Sequence, residues 1–298
     1  MTPNTRGMLA MTAASMLFIC SDVIAKLVSR TWTVGQMLTV RGLFAILLAA
    51  AVAIFAGAGR RLPMVMRPLL VARGALEGMM ALTFLYALSL MPLADLTAIM
   101  MLSPLAITAL STLIFKEQVG WRRWGAIFAG FVGMLCVVQP GGAASASPNF
   151  AFAAGLGLLA VLCVAVRDTL TRRLPAEIPS VIITVSAAAG SFAGGLVLSG
   201  FQGWAAFAWT PFLASFAAAI IVTAANLLLI LACRDVDLSV VAPYRYSAVI
   251  WSIVMGIAVF GDVPNLLSFT GMAIITTSGI YTMHRERVRR REALEKEA

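Results

Sequence analysis

Ser21-Asp22-Val23-Ile24-Ala25-Lys26 returns roughly 145 residues later as Arg167-Asp168-Thr169-Leu170-Thr171-Arg172, an acid followed four residues on by a base in each copy. The correspondence continues outward from this pair. Asp95-Leu96-Thr97 matches Asp237-Leu238-Ser239, and Gly125 and Gly133 match Gly271 and Gly279 with the same eight-residue spacing. The chain therefore reads as two copies of one unit. The first covers residues 1–139 and the second 150–284, with a linker at 140–149 and a tail at 285–298.

Composition fixes the solvent. Hydrophobic residues make up 61% of the 298 and charged ones only 12%, about half the roughly 25% of soluble domains. So little polar surface suits a bilayer. The net charge of +9 does not indicate a nucleic-acid partner, because the bases lie between apolar stretches and not along one face.

Ten stretches are long enough to cross a hydrocarbon core of about 30 Å, which takes about 20 helical residues. They are Gly7–Val28, Thr33–Gly57, Leu69–Met91, Ala94–Phe115 and Trp121–Gln139, then Phe150–Thr171, Ser180–Gly200, Pro211–Cys233, Asp237–Phe260 and Asn265–His284. Helices are expected because an open strand edge in lipid leaves backbone groups unpaired. Five crossings per copy place the second copy upside down relative to the first, and inverted repeats of this kind go with alternating access.

Orientation follows from the bases. With the N-terminus inside, the inner segments hold Arg6, Arg60, Arg61, Arg67, Lys116, Arg122, Arg123, Arg167, Arg172, Arg173, Arg234 and the basic tail; the outer loops hold Lys26 and Arg30. This bias places both termini in the cytoplasm. Trp32, Trp204 and Trp209 then fall at the outer interface and Trp121 and Trp124 at the inner one, where amphipathic rings sit. The expected location is a bacterial inner membrane.

No segment has room for a soluble catalytic or nucleotide-binding domain. The sequence has no G-x-x-x-x-G-K-[ST], no H-E-x-x-H and no C-x-x-C, and its one histidine is His284. Neither an enzyme, a metal nor a cofactor is expected, and Cys20, Cys136, Cys163 and Cys233 read as buried thiols within spans.

In the Asp95-to-Glu117 segment with Gly125 and Gly133, and its second copy Asp237-to-Asp262 with Gly271 and Gly279, the chain resembles the EamA-type branch of the drug/metabolite transporter superfamily. Asp262 stands where a glutamate is more usual in that family. Among its members the chain is most like bacterial exporters of amino acids, aromatic ones included. The resemblance implies a cavity lined by spans three, four, eight and nine, with spans one, two, six and seven rocking and five and ten peripheral.

Charges within spans cost about 2.5–3.5 kcal/mol each on insertion scales and so mark a cavity or a partner. Arg245, in the run Pro243-Tyr244-Arg245-Tyr246 of span nine, has no charged counterpart in the first copy, where Leu102-Ser103-Pro104 stands. A guanidinium there suits a substrate carboxylate held by two parallel hydrogen bonds, or an ion pair with Glu77. Glu77 suits a substrate amine or a coupling proton, and Arg73 shares its face one turn earlier. Tyr244, Tyr246 and Trp251 complete an aromatic wall, with Ser103 and Asn226 as uncharged polar candidates.

Asp22 with Lys26, and Asp168 with Arg172, read either as latches on opposite gates or as local salt bridges worth about 0.3–0.5 kcal/mol. Arg41 reads as a guard of the outer mouth or a partner of Asp22. Glu117 and Asp262 are expected to cap the helices that follow them. Gly74/Gly78 and Gly190/Gly194 have the G-x-x-x-G spacing of close helix contact. The function expected is a secondary transporter exporting amino acids, with membrane lipid around it and protons as a coupling ion. A carrier of another small metabolite (nucleoside, sugar or drug cation) is the alternative, and a channel or membrane enzyme stands behind it.

Overall fold

The structure, a computed structural model, describes residues 3–115, 121–139, 149–171, 173–175, 177–233 and 242–297. All regular elements among them are helical. They are α1 (Pro3–Val28), α2 (Val34–Phe55), α3 (Pro68–Leu90), α4 (Leu93–Met100), α5 (Ser103–Phe115), α6 (Trp121–Val138), α7 (Phe150–Thr171), α8 (Ser180–Gln202), α9 (Trp209–Cys233), α10 (Ser247–Met255) and α11 (Leu266–Glu297). Short 3-10 turns run over Gly59–Met66 and Ala242–Tyr246, and a π turn over Gly256–Phe260 closes α10.

Eight helical segments among the described residues are long and apolar enough to cross a membrane. The expected fourth and fifth spans hold shorter apolar helices, at Leu93–Ile107 and Trp124–Val138. Pro104 explains the fourth. It has no N–H for the carbonyl one turn back, and its ring crowds that carbonyl. The helix accordingly stops at Met100, turns at Met101 and Leu102, and restarts at Ser103. The ninth span runs without a break over 242–260, as a 3-10 turn holding Pro243, then α10, then a π turn that Gly261, at φ 70°, ends; positions 237–241 lie outside the described residues.

Large apolar side chains face outward, among them Phe55, Phe128, Phe201 and Leu266. In water such a surface would aggregate; in a bilayer it is the solvated face.

The chain divides into two compact units. One comprises Met1–Ile19, Pro92–Ala151 and Ala225–Ala298; the other comprises Cys20–Met91 and Phe152–Ala224. Each therefore takes segments from both halves of the chain, because α2 packs on α8 and α6 on α11.

In the second unit α2 lies antiparallel on α8. A Cβ at Gly42 would stand 2.7 Å from the Phe192 backbone, and Gly35 and Gly195 abut the backbones of Ser199 and Thr39. At one end of this pair the Gln36 side chain exchanges two hydrogen bonds with the Ala205 backbone, donating at 3.3 Å and accepting at 2.9 Å. Helix α3 packs parallel to α8 through Gly74, Gly78 and Gly190, whose backbones touch directly. The G-x-x-x-G reading holds at this contact.

In the first unit α6 lies antiparallel on α11. Gly133 and Gly271 each meet the other's carbonyl. Gln139 and Asn265 exchange amide hydrogen bonds at the end of the pair, 2.7 Å and 3.1 Å. Asn265 also accepts from the Ser268 N–H, so Asn265, not Asp262, caps α11. Glu117 lies outside the described residues.

Candidate functional site

Two groups of polar side chains stand out, one in each unit. In the first unit the 3-10 turn Ala242–Tyr246 leads into α10, and its tight period sends neighbouring side chains to different faces. Tyr244 and Arg245 are exposed, whereas Tyr246 is only 4% exposed. Its phenol lies against Gly279 of α11, where any Cβ would overlap the ring. The tyrosines thus do not flank Arg245 as a symmetric pair; only Tyr244 shares its exposure.

Three buried polar atoms in this turn and α10 have no hydrogen-bond partner among the described residues: the Tyr246 hydroxyl, Ser247 Oγ and Trp251 Nε1. Ser247 and Trp251 are one turn apart, on one face of α10. Native interiors leave few such groups unpaired. Ser252, one residue further, is instead satisfied by the Val249 carbonyl at 2.8 Å. Ser103 is buried at the start of α5 in the same unit, and Asn226 is half-buried on α9.

In the second unit Arg73 and Glu77 of α3 meet Arg167, Asp168 and Thr171 of α7. Arg167 Nη1 donates to Glu77 Oε2 at 2.9 Å, and Arg73 Nη1 lies 3.9 Å from the same oxygen. Arg167 also holds Asp168 Oδ1 through Nε and Nη2, both at 2.8 Å. Arg73 donates to Thr171 Oγ1 at 3.0 Å and to the Ile183 carbonyl at 3.5 Å. Two acids face two bases, so formal charge cancels within the cluster. Glu77 thus has its ion-pair partners on α3 and α7. In sequence Arg167 is only one of the inner bases, because its contact with Glu77 joins residues 90 positions apart. The adjacent pair Arg167-Asp168 inside an apolar run was the available signal.

The remaining expected gate residues separate. Asp22 and Arg41 are half-buried and attract each other between α1 and α2. Lys26 donates to the Met91 carbonyl at 2.9 Å. Asp168 pairs with Arg167 at its own helix end, and Arg172 lies outside the described residues.

Comparison with known proteins agrees with this architecture. Residues 5–139 match the EamA-like transporter family. The chain is 23% identical over 232 residues to an S-adenosylmethionine uptake transporter of Rickettsia bellii (strain RML369-C), over 73% of this chain and 72% of that protein. It is 27% identical over 207 residues to a riboflavin transporter of Rhizobium johnstonii (strain DSM 114642 / LMG 32736 / 3841), over 69% and 66% respectively. A solved crystal structure shares the fold, with a TM-score of 0.60 at 18% identity over 95% of this chain and 99% of that one. Residues 5–139 are thus similar to the EamA-like transporter family, and the long apolar helices are those of a multi-pass membrane protein.

Proposed function

We propose that the chain carries α-amino-acid compounds by alternating access, and that the segment from Tyr244 to Trp251 recognises them. The observation that carries this reading is the exposed Arg245 in a short segment that also holds three buried, unpartnered polar atoms. A guanidinium holds a carboxylate through two parallel hydrogen bonds. Ser247 Oγ and Trp251 Nε1 offer further hydrogen-bonding groups for a polar substrate. Tyr244 and Trp251 add flat apolar faces for an aromatic group.

The named substrates of the relatives are compatible with such a site. S-adenosylmethionine is itself an α-amino acid bearing an aromatic base, and riboflavin carries a flat fused ring. Export, the direction the family resemblance suggested, and uptake, the direction named for relatives, use one site in a reversible carrier. The antiparallel packing of α2 on α8 and of α6 on α11 supports an inverted arrangement of the two copies. We assign the protein to a bacterial inner membrane with both termini inside, on the distribution of its bases.

The test is counterflow in proteoliposomes with labelled phenylalanine, tryptophan, S-adenosylmethionine and riboflavin. Saturable exchange of an amino-acid compound is expected. Exchange of riboflavin alone would assign the site to flat neutral rings and remove the carboxylate role of Arg245. Flux without saturation would make the protein a channel. Imposing a pH gradient in the same vesicles tests proton coupling.

A further inference from the structure

We propose that the connection between α2 and α3 is a docking surface for the anionic head groups of bilayer phospholipids. The segment joins the ends of two helices long and apolar enough to cross a membrane, Val34–Phe55 and Pro68–Leu90. It therefore lies where hydrocarbon gives way to head groups. Gly57, at φ 73°, turns the chain out of α2, and Gly59–Met66 then run as a 3-10 turn. Three residues per turn divide such a segment into faces. Leu62 and Val65, three apart, pack with Met64 on a buried apolar cluster that includes Ala53, Leu70 and Ile182. That face fixes the segment to the protein.

The opposite face is turned away from it. Arg60, Pro63 and Met66, again three apart, are exposed, Met66 at 77%, and Phe55 at the end of α2 is 90% exposed. Arg61 and Arg67 are exposed as well. Arg61 Nη1 donates to the Glu177 carbonyl at 3.2 Å, which ties the segment to the connection between α7 and α8. Among the described residues the side chains of Arg60 and Arg67 make neither a hydrogen bond nor an ion pair. Arg67 stands at the N-cap of α3, so its charge adds to the positive end of that helix dipole. No acid occurs between Phe55 and Arg67 to offset the three bases, and the α7–α8 connection adds exposed Arg173 and Glu177, which cancel. Guanidiniums take phosphate oxygens through parallel hydrogen bonds, while exposed Phe55 and Met66 suit the acyl-chain boundary beside them. Bases and large apolar side chains side by side at the end of two spans match one partner, a lipid with a net negative head group.

The test removes charge without touching the packed face. In Arg60→Gln/Arg67→Gln the Arg61 tie and the apolar contacts stay in place, so melting in lipid-free micelles should be unchanged. Purified protein is titrated with phosphatidylglycerol or phosphatidylcholine in detergent, and bound lipid is counted by native mass spectrometry. The unaltered protein is expected to retain phosphatidylglycerol in preference to phosphatidylcholine, and the double variant to lose about tenfold of that preference. Arg289→Gln/Arg290→Gln removes the same charge from the tail and should keep the preference. Equal retention of the two lipids by the unaltered protein overturns the surface. So does a preference unaffected in Arg60→Gln/Arg67→Gln, or an equal loss in the tail variant. Displacement of phosphatidylglycerol by an equal concentration of glycerol 3-phosphate would assign the arginines to a soluble phosphate ester and overturn it likewise.

Discussion

Arg245 is the residue on which the proposed substrate role turns. Replacing it with alanine removes a guanidinium that is exposed and not part of the packed interior. Transport of an amino-acid compound should fall at least about tenfold, the order of one lost charge-assisted hydrogen bond, with melting temperature unchanged. Arg245→Lys should recover only part, since an ammonium cannot make the forked contact. Normal transport by Arg245→Ala in proteoliposomes would move the site elsewhere. Glu77 behaves differently because it is held by Arg167 and Arg73. Glu77→Gln leaves two largely buried bases facing each other with one acid fewer, a loss of about 3 kcal/mol when a buried pair is broken from one side. Thermal unfolding in detergent measures it. The pair Glu77→Gln with Arg167→Gln should be less destabilised than Glu77→Gln alone; equal or additive losses would show that the two do not interact.

At the scale of elements, the glycines separate into those that carry helix contacts and those that do not. Gly190 sits against the Gly74 carbonyl, so a methyl group there must push α3 and α8 apart. Gly190→Ala should cost about 1–3 kcal/mol, as overpacking does, whereas Gly125→Ala should be neutral within about 0.5 kcal/mol. Comparable effects at the two positions, measured by melting in one detergent, would contradict the packing described for α3 on α8. The break at Met101–Leu102 belongs to the same scale. It was legible in the sequence as Pro104, a residue that cannot continue a helix. Asp262 and Pro264 resemble a helix start in sequence, but α11 begins at Leu266, with Asn265 accepting from the Ser268 N–H.

Across the whole molecule, each compact unit draws on both halves of the chain. A cut in the linker between the copies therefore does not separate one unit from the other. Coexpressed fragments 1–145 and 146–298 should reassemble and co-purify, and each alone should be degraded. Stable, separately folded halves would argue against the interleaved packing. Reporter fusions at the two ends test the topology proposed from the bases: both should report the cytoplasm, and opposite readings would require an odd number of crossings.

The apolar composition and the length of its apolar runs were enough to fix a helical membrane protein, because each is a local consequence of the bilayer as solvent. The candidate cation Arg245 was also legible, since a charge in an apolar run is conspicuous by its cost. Which acid meets which base was not. Glu77 meets Arg167, Lys26 meets the Met91 carbonyl, and Tyr246 turns inward onto Gly279. Those contacts join residues far apart in sequence, and periodicity says nothing about distant partners. Packing decides them, through backbone approaches that only glycine permits and a 3-10 turn that sends adjacent tyrosines to different faces.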